Sequence, residues 1–200
     1  LRVLPVVVVT GLGGAGKSTL LLQDPRLQGR RYLSLDDFAV REAARRAPGE
    51  LLAGSEPLSI DEAQRAPELL LALKAAVDRD RTPGRFLLSG SASFALLGGV
   101  AESLAGRAVY LTLHPLTHRE LAGEASPPAW LGADWSRPPA PAGAAPIAPA
   151  DILRGGLPPV RGLDAAARRL WFRGYEQTYL ERDLRDLAQV GDLLAFRRVF

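Results

Sequence analysis

Residues 6–19 read VVVVTGLGGAGKST, four valines followed by a glycine-rich loop. The loop fits the phosphate-loop pattern GxxxxGK[ST], with Gly11, Gly16, Lys17 and Ser18 at the fixed positions. An apolar, β-branched run directly before the loop predicts a buried strand, which is the structural context that the pattern requires. The stretch therefore predicts a strand, a phosphate-binding loop and a helix in succession, and a site for a nucleoside triphosphate.

The residue types in this loop suit phosphate chemistry. Glycines allow the tight turns that aim successive backbone N–H groups at one point, where the start of the next helix adds partial positive charge. We expect Lys17 to reach the β- and γ-phosphates, the Ser18 hydroxyl to bind Mg²⁺, and Thr19 to lie near the α-phosphate. The full set expected to contact the nucleotide is Gly11, Gly13, Gly14, Ala15, Gly16, Lys17, Ser18 and Thr19.

The composition supports this assignment and indicates the base. The chain has 25 lysine and arginine residues, of which only Lys17 and Lys74 are lysines. A compact, flexible charge suits a phosphate-contacting position, and one of the two lysines stands there. Asparagine is absent, which removes the NKxD sequence with which GTPases read their base, so ATP is the predicted nucleotide.

A pair of carboxylates forms the second candidate site. Residues 57–62 read PLSIDE, a short predicted strand that ends in Asp61 and Glu62. Placed after a phosphate loop, this arrangement predicts that Asp61 holds Mg²⁺ through its water shell and that Glu62 activates the attacking water. The alternative is an ordinary acidic pair at the start of a helix.

Two serines and an arginine complete the candidate catalytic set. Residues 85–91 predict another buried strand, and the hydroxyl of Ser89 or Ser91 at its end is a candidate γ-phosphate sensor or a simple turn serine. Arg107 precedes a strand predicted to be buried over residues 108–113. Its guanidinium is expected to reach phosphate at a subunit or domain boundary, unless it is only a solvated charge.

The remaining patterns predict alternating strands and helices, and hence an α/β domain. Further strands are predicted over residues 4–10 and 31–36, with one helix from Lys17 to the Asp24-Pro25 pair and another over residues 67–80. Asp36 and Asp37 follow the second strand, where we expect helix capping rather than contact with a metal shell.

The composition changes after residue 122. Residues 123–150 are rich in proline, alanine, glycine and serine and predict an extended or mobile insert, and residues 152–159 predict a compact turn. Asp164 is expected to cap a helix through residue 188. Another apolar helix is predicted over residues 192–200, which would pack on another chain or on a missing C-terminal domain.

These patterns predict three parts and restrict the partners. The parts are a core over residues 1–122, an insert or linker over 123–150, and a helical segment over 151–200. The chain has no cysteine and no apolar run long enough to cross a bilayer, so we expect no disulfide, no membrane and a cytoplasmic location. The net charge is +3, and the basic residues form no continuous block. Nucleic acid therefore stays an alternative partner that no basic patch supports.

Together the motifs resemble those of the prokaryotic AAA-type ATP-binding proteins, in which a P-loop domain precedes a poorly characterised C-terminal domain. The resemblance covers nearly all of residues 3–200. Besides the P-loop, the motifs are YLSLDD at 32–37, IDEAQRAPELL at 60–70, RFLLSGSAS at 85–93, ESLAGR at 102–107, HPLTHREL at 114–121, GGLPP at 155–159 and YLERDLRDL at 179–187. One departure is Gly13-Gly14, where the family commonly has Arg-Gln.

The resemblance implies a fold and a reaction. The implied fold is a RecA-like three-layer sandwich around about five parallel strands, and the implied ligands are ATP and Mg²⁺. Asp61 and Glu62 would take the Walker B roles, Ser89 or Ser91 would be the sensor, and Arg107 would be the arginine of the LAGR turn.

The expected function is an ATPase that couples Mg-ATP hydrolysis to movement of a C-terminal or partner domain. One alternative is a nucleotide-gated interaction module with little turnover. Another alternative is a small-molecule kinase. A kinase lid would carry several arginines, whereas Arg137 is the single arginine between residues 120 and 150, which counts against this alternative.

Overall fold

A computed structural model describes residues 3–91, 104–123, 136 and 147–187, with backbone alone over 179–187. Its central sheet has five parallel strands in the order β2-β3-β4-β1-β5. The strands are β1 (Val6–Thr10), β2 (Arg31–Ser34), β3 (Leu58–Asp61), β4 (Phe86–Ser89) and β5 (Ala108–Thr112). Parallel strands end at the same edge of a sheet, so Thr10, Asp61 and Ser89 lie along one edge.

Helices cover the sheet on both faces. They are α1 (Lys17–Gln23), α2 (Phe38–Arg46), α3 (Pro48–Leu51), α4 (Pro67–Arg79), α5 (His118–Leu121), α6 (Pro149–Arg154) and α7 (Ala165–Leu187). Single 3-10 turns occupy Pro25–Leu27, Ala63–Arg65 and Pro158–Val160. In the described part of the chain, no helix combines the length and the apolar character needed to cross a bilayer.

The four valines of β1 explain why the sheet is covered on both faces. Successive side chains of a strand point to opposite faces, and all four valines are buried. Val6 and Val8 pack in the cluster that contains α4, whereas Val7 and Val9 pack with Leu21 of α1. The prediction of an α/β, RecA-like fold with five parallel strands and following helices is therefore confirmed.

The predicted end of α1 and the predicted capping by Asp37 agree with the structure, whereas the predicted capping by Asp36 does not. Helix α1 ends directly before Asp24-Pro25, as expected for a residue pair that cannot continue a helix. Asp37 caps α2, because its carboxylate accepts hydrogen bonds from the N–H groups of two residues of the first turn. Asp36 does not cap this helix, since its carboxylate lies 2.6 Å from the guanidinium of Arg65.

Two further predictions differ from the structure. Strand β5 is not buried, because it pairs within the described residues only with β1 and leaves Leu111 53% exposed. Helix α6 lies where an irregular insert and a compact turn were expected. Pro149 stands in its first turn, where proline needs no N–H partner, and the Asp151 carboxylate accepts a hydrogen bond from the N–H of Ala148. Most of residues 123–150, and all of 192–200, lie outside the described residues.

Candidate functional site

The glycine-rich loop leaves β1 at the carboxyl edge of the sheet. At Gly11 the backbone has φ +152°, and a Cβ atom would lie 2.3 Å from the carbonyl oxygen of Leu113, so only glycine fits there. Gly16 occupies the left-handed region at φ 102° and forms the N-cap of α1. Both glycines shape the turn that a phosphate-binding nest requires.

Lys17 lies inside the loop. Its side-chain Nζ donates hydrogen bonds to the carbonyl oxygens of Gly11, at 2.9 Å, and Leu12, at 3.0 Å, and the residue is only 6% exposed. Ser18 and Thr19, which follow in the first turn of α1, are exposed. The loop therefore holds a buried ammonium group beside two side-chain hydroxyls that a ligand can reach.

The carboxylate of Asp61, at the end of β3, lies at the centre of a network of side chains from β2, β4 and the first turn of α1. The fully buried hydroxyl of Ser89, at the end of β4, donates to Oδ1 of Asp61. The hydroxyl of Tyr32, from β2, donates to Oδ2 at 2.7 Å. The Ser18 side chain, in the first turn of α1, also lies close enough to this carboxylate to lower its pKa. The structure thus brings the predicted metal residues Ser18 and Asp61 together, and Ser89 lies on β4, between β3, which carries Asp61, and β1, which leads into the phosphate loop.

This network keeps the Asp61 carboxylate charged. Burial by itself would raise the pKa of Asp61, but hydrogen bonds from Ser89, Tyr32 and the N–H of Glu62, together with the nearby Ser18 hydroxyl, outweigh it and hold the pKa below its usual value. Burial, followed by the hydrogen bond to Asp61, raises the pKa of Tyr32, so its phenol stays protonated and continues to donate. A charged carboxylate beside a hydroxyl is an oxygen donor set that suits Mg²⁺.

Glu62 has an unusual backbone conformation. Its φ of 56° is the only positive value at a non-glycine residue in the described part of the chain. Its N–H donates to Oδ1 of Asp61, at 3.1 Å, and to Oγ of Ser89, at 3.2 Å. The Gln64 side chain donates to its carboxylate at 2.5 Å. Strain of this kind costs about 1–3 kcal/mol and is concentrated at functional sites.

Arg107 stands apart from this network. The N–H of Val6 donates to the carbonyl of Arg107, which places Arg107 at the amino edge of the sheet. The length of β1, about 13 Å at 3.3 Å per residue, separates that edge from the phosphate loop. The Arg107 guanidinium instead binds both carboxylate oxygens of Asp78, at 2.7 and 2.9 Å. In this structure the Arg107 guanidinium therefore lies away from the loop of its own chain, and its action on phosphate at a subunit or domain boundary stays a prediction. Ser91 follows β4 at the carboxyl edge, and its role also stays a prediction.

Three residues near the site had no assigned role in the sequence. Tyr32 stands in the YLSLDD motif, but no local signal shows that β2 lies beside β3. The hydroxyl of Tyr175, on α7, donates to the carbonyl oxygen of Gly13 at 3.1 Å. The side chain of Pro159 would lie 3.6 Å from a Cβ atom at Gly14. Only the folded chain shows that Tyr175 and Pro159 lie against the loop.

The comparison with family models agrees with this geometry. Residues 4–122 match the model of the AAA domain, which is more than half of the chain. This protein belongs to the AAA domain family. The AAA domain is a nucleotide-binding domain of the P-loop type, as the loop, the sheet order and the Asp61 network indicate. Residues 149–200 match a second model, which describes a domain of unknown function.

Two curated relatives of this AAA protein come from mycobacteria. An uncharacterized protein of Mycobacterium bovis and one of Mycobacterium tuberculosis are each 40% identical to it over 195 residues. The match covers 94% of this chain and 37% of each relative, so the chain spans little more than a third of their length.

Replacing Tyr32 with Phe is expected to destabilise the domain. The variant removes the donor to Oδ2 of Asp61 but keeps the ring, and hydrogen bonds to charged groups contribute about 1.5–3 kcal/mol. Urea unfolding at neutral pH measures the loss. Tyr110→Phe on the exposed strand β5 is the matched control, for which we expect a change within about 0.5 kcal/mol. Equal stability of the two variants would contradict a contribution of the phenol to this network.

Proposed function

We propose that this AAA domain binds Mg-ATP and hydrolyses it in the cytoplasm, and that hydrolysis moves a C-terminal or partner domain. The observation that carries the proposal is the contact of Ser18 and Ser89 with one buried carboxylate, Asp61. Through Ser18 this arrangement brings the end of the phosphate loop beside β3, which ends at Asp61 and is followed directly by Glu62. In the proposed division of labour, residues 1–122 perform the chemistry, residues 123–150 form an insert or linker, and residues 151–200 transmit the movement.

The chain's residues would divide the work as follows. The loop N–H groups would orient the phosphates, and Lys17 would move from its loop carbonyls to compensate their charge. Ser18 would hold Mg²⁺ directly, whereas Asp61, whose oxygens already accept several hydrogen bonds, fits contact through water. Bound Mg²⁺ would neutralise charge on the phosphate oxygens. Glu62 would accept a proton from the attacking water.

A nucleotide-gated interaction module with little turnover is the second candidate. The contact between Gln64 and the Glu62 carboxylate favours it, because the Gln64 amide occupies a carboxylate oxygen that would otherwise face the attacking water. Under this alternative the loop would bind ATP and change the position of α7, with slow hydrolysis serving only to reset it.

Phosphate release with and without Mg²⁺ tests the proposal. We expect release from ATP that falls to background when EDTA removes the metal, and a lower rate with GTP at the same concentration. Mg-ATP binding without measurable phosphate release would favour the interaction module. Absence of ATP binding, with the chain shown to be folded by circular dichroism, would contradict both candidates.

A further inference from the structure

Helix α7 and the turn before it lie against the tip of the phosphate loop. The hydroxyl of Tyr175 donates to the carbonyl oxygen of Gly13, and the ring of Tyr175 would lie 3.7 Å from a Cβ atom at that glycine. Pro159 approaches the next residue, Gly14, from the 3-10 turn. The loop tip is thus in contact with the part of the chain that matches the domain of unknown function.

Aromatic packing holds Tyr175 at this position. Its ring stacks on that of Trp171, with the centroids 5.0 Å apart and the planes 15° from parallel. Trp171 also meets Phe172 edge to face at 5.2 Å. The carboxylate of Asp164 caps the start of α7 by accepting two N–H groups, each at 2.8 Å. Tyr175 therefore reaches the loop from a capped helix on which the neighbouring Trp171 ring restricts the orientation of the Tyr175 ring.

The segment before α7 is tied to the core close to the loop. The N–H of Leu116 donates to the carbonyl of Gly156 at 2.8 Å. A Cβ atom at Gly156 would lie 2.1 Å from the Leu116 carbonyl oxygen, so the two backbones are in direct contact. Leu116 follows shortly after Leu113, whose carbonyl contacts Gly11. The same stretch that supports the start of the loop thus also supports the turn leading to Tyr175.

The contact with Gly13 bears on how the loop binds anions. The carbonyl of Gly13 and the N–H of Gly14 belong to one planar trans peptide, so they point in opposite directions. A phenol that holds the carbonyl on the outer side therefore holds the Gly14 N–H toward the inner side, where a nest binds phosphate. Gly13 and Gly14 carry no side chain, so the peptide between them can adopt more than one orientation at little steric cost. A hydrogen bond from outside the loop can therefore favour one of these orientations.

We propose that Tyr175 is a positioning residue for the phosphate loop. Its hydroxyl keeps the Gly13-Gly14 peptide in the phosphate-binding orientation, and nucleotide binding in turn strengthens the seating of α7 on the loop. The coupling is reciprocal because each partner stabilises the same peptide orientation. This inference rests on the proposed nucleotide binding and identifies the element that would receive the signal.

Tyr175→Phe tests the proposal, because it removes the hydroxyl and keeps the ring that stacks on Trp171. We expect affinity for Mg-ATP to fall about three- to tenfold by calorimetry, as for the loss of one hydrogen bond. Affinity for Mg-tripolyphosphate, which has no base or ribose, is expected to fall by the same factor. Tyr110→Phe removes a phenol from β5 and is expected to match the wild type with both ligands.

Hydrogen exchange of the amides over residues 165–178 tests the coupling. Mg-ATP is expected to slow their exchange in the wild type and to slow it less in Tyr175→Phe. Wild-type affinity of Tyr175→Phe for both ligands would overturn the inference, as would a loss confined to Mg-ATP, which would place the hydroxyl at the nucleoside instead. If the wild type itself binds neither ligand, the proposed function fails, and that result is distinct from equal binding by wild type and variant.

Discussion

Lys17→Ala is expected to weaken Mg-ATP binding at least about a hundredfold. Its ammonium is the only basic side chain within residues 6–19, and hydrogen bonds between charged partners are about twice as strong as neutral ones. Lys17 is 6% exposed, so its removal leaves a phosphate in the loop without the charge that compensates it. Equilibrium binding of a fluorescent ATP analogue, or calorimetry, measures the loss.

Lys74→Ala is the matched control, because Lys74 is the chain's other lysine and stands exposed on α4. We expect it to bind Mg-ATP like the wild type. Lys17 also donates to two loop carbonyls, so the free energy of unfolding of both variants should be measured alongside affinity. Full ATP affinity in folded Lys17→Ala would contradict the assignment of the loop itself.

Glu62→Gln is expected to reduce ATP turnover by about 10²–10⁴, the usual contribution of a general base. The amide has nearly the same size as the carboxylate but cannot accept the proton of the attacking water. The backbone N–H that contacts Asp61 and Ser89 is unchanged, so we expect Mg-ATP affinity to stay within about threefold of the wild type. Phosphate release under saturating ATP measures turnover, and calorimetry measures binding.

The control for this variant is Glu68→Gln, which makes the same chemical change at an exposed position in the first turn of α4. It is expected to hydrolyse ATP at the wild-type rate. Equal and measurable rates for wild type and Glu62→Gln would remove Glu62 from the mechanism. Equal rates that are negligible, with binding intact, would favour the interaction module instead.

Short sequence patterns predicted many of the structural elements of this protein, because the interactions that form those elements act between residues close in the chain. Four valines and a loop of glycines specify a buried strand and a turn through steric and solvation effects that act within a few residues. Local patterns also predicted that Asp37 caps α2 and that α1 ends before Asp24-Pro25. The placement of Asp61 and Ser89 at one edge of the sheet also followed from the sequence. Each is the last residue of its strand, and parallel strands end at the same edge.

The errors and omissions concern residues far apart in the chain. The burial of β5 depends on which strands flank it, and its position at the end of the strand order leaves Leu111 exposed. Arg107 precedes its strand, so the parallel sheet carries it to the amino edge, where Asp78 is its partner. The hydrogen bond of Tyr32 to Asp61 requires the pairing of β2 with β3.

The amino-acid sequence alone thus determined the phosphate loop, its strand and helix, and the chemical types of the metal-binding candidates. The tertiary structure alone decided that Asp61 joins Ser18, Ser89 and Tyr32, and that Tyr175 contacts Gly13. The physical reason is the range of the interactions. Backbone sterics and helix capping act over a few residues, whereas the hydrogen bond between Tyr175 and Gly13 joins residues 162 positions apart, which only the tertiary fold brings together.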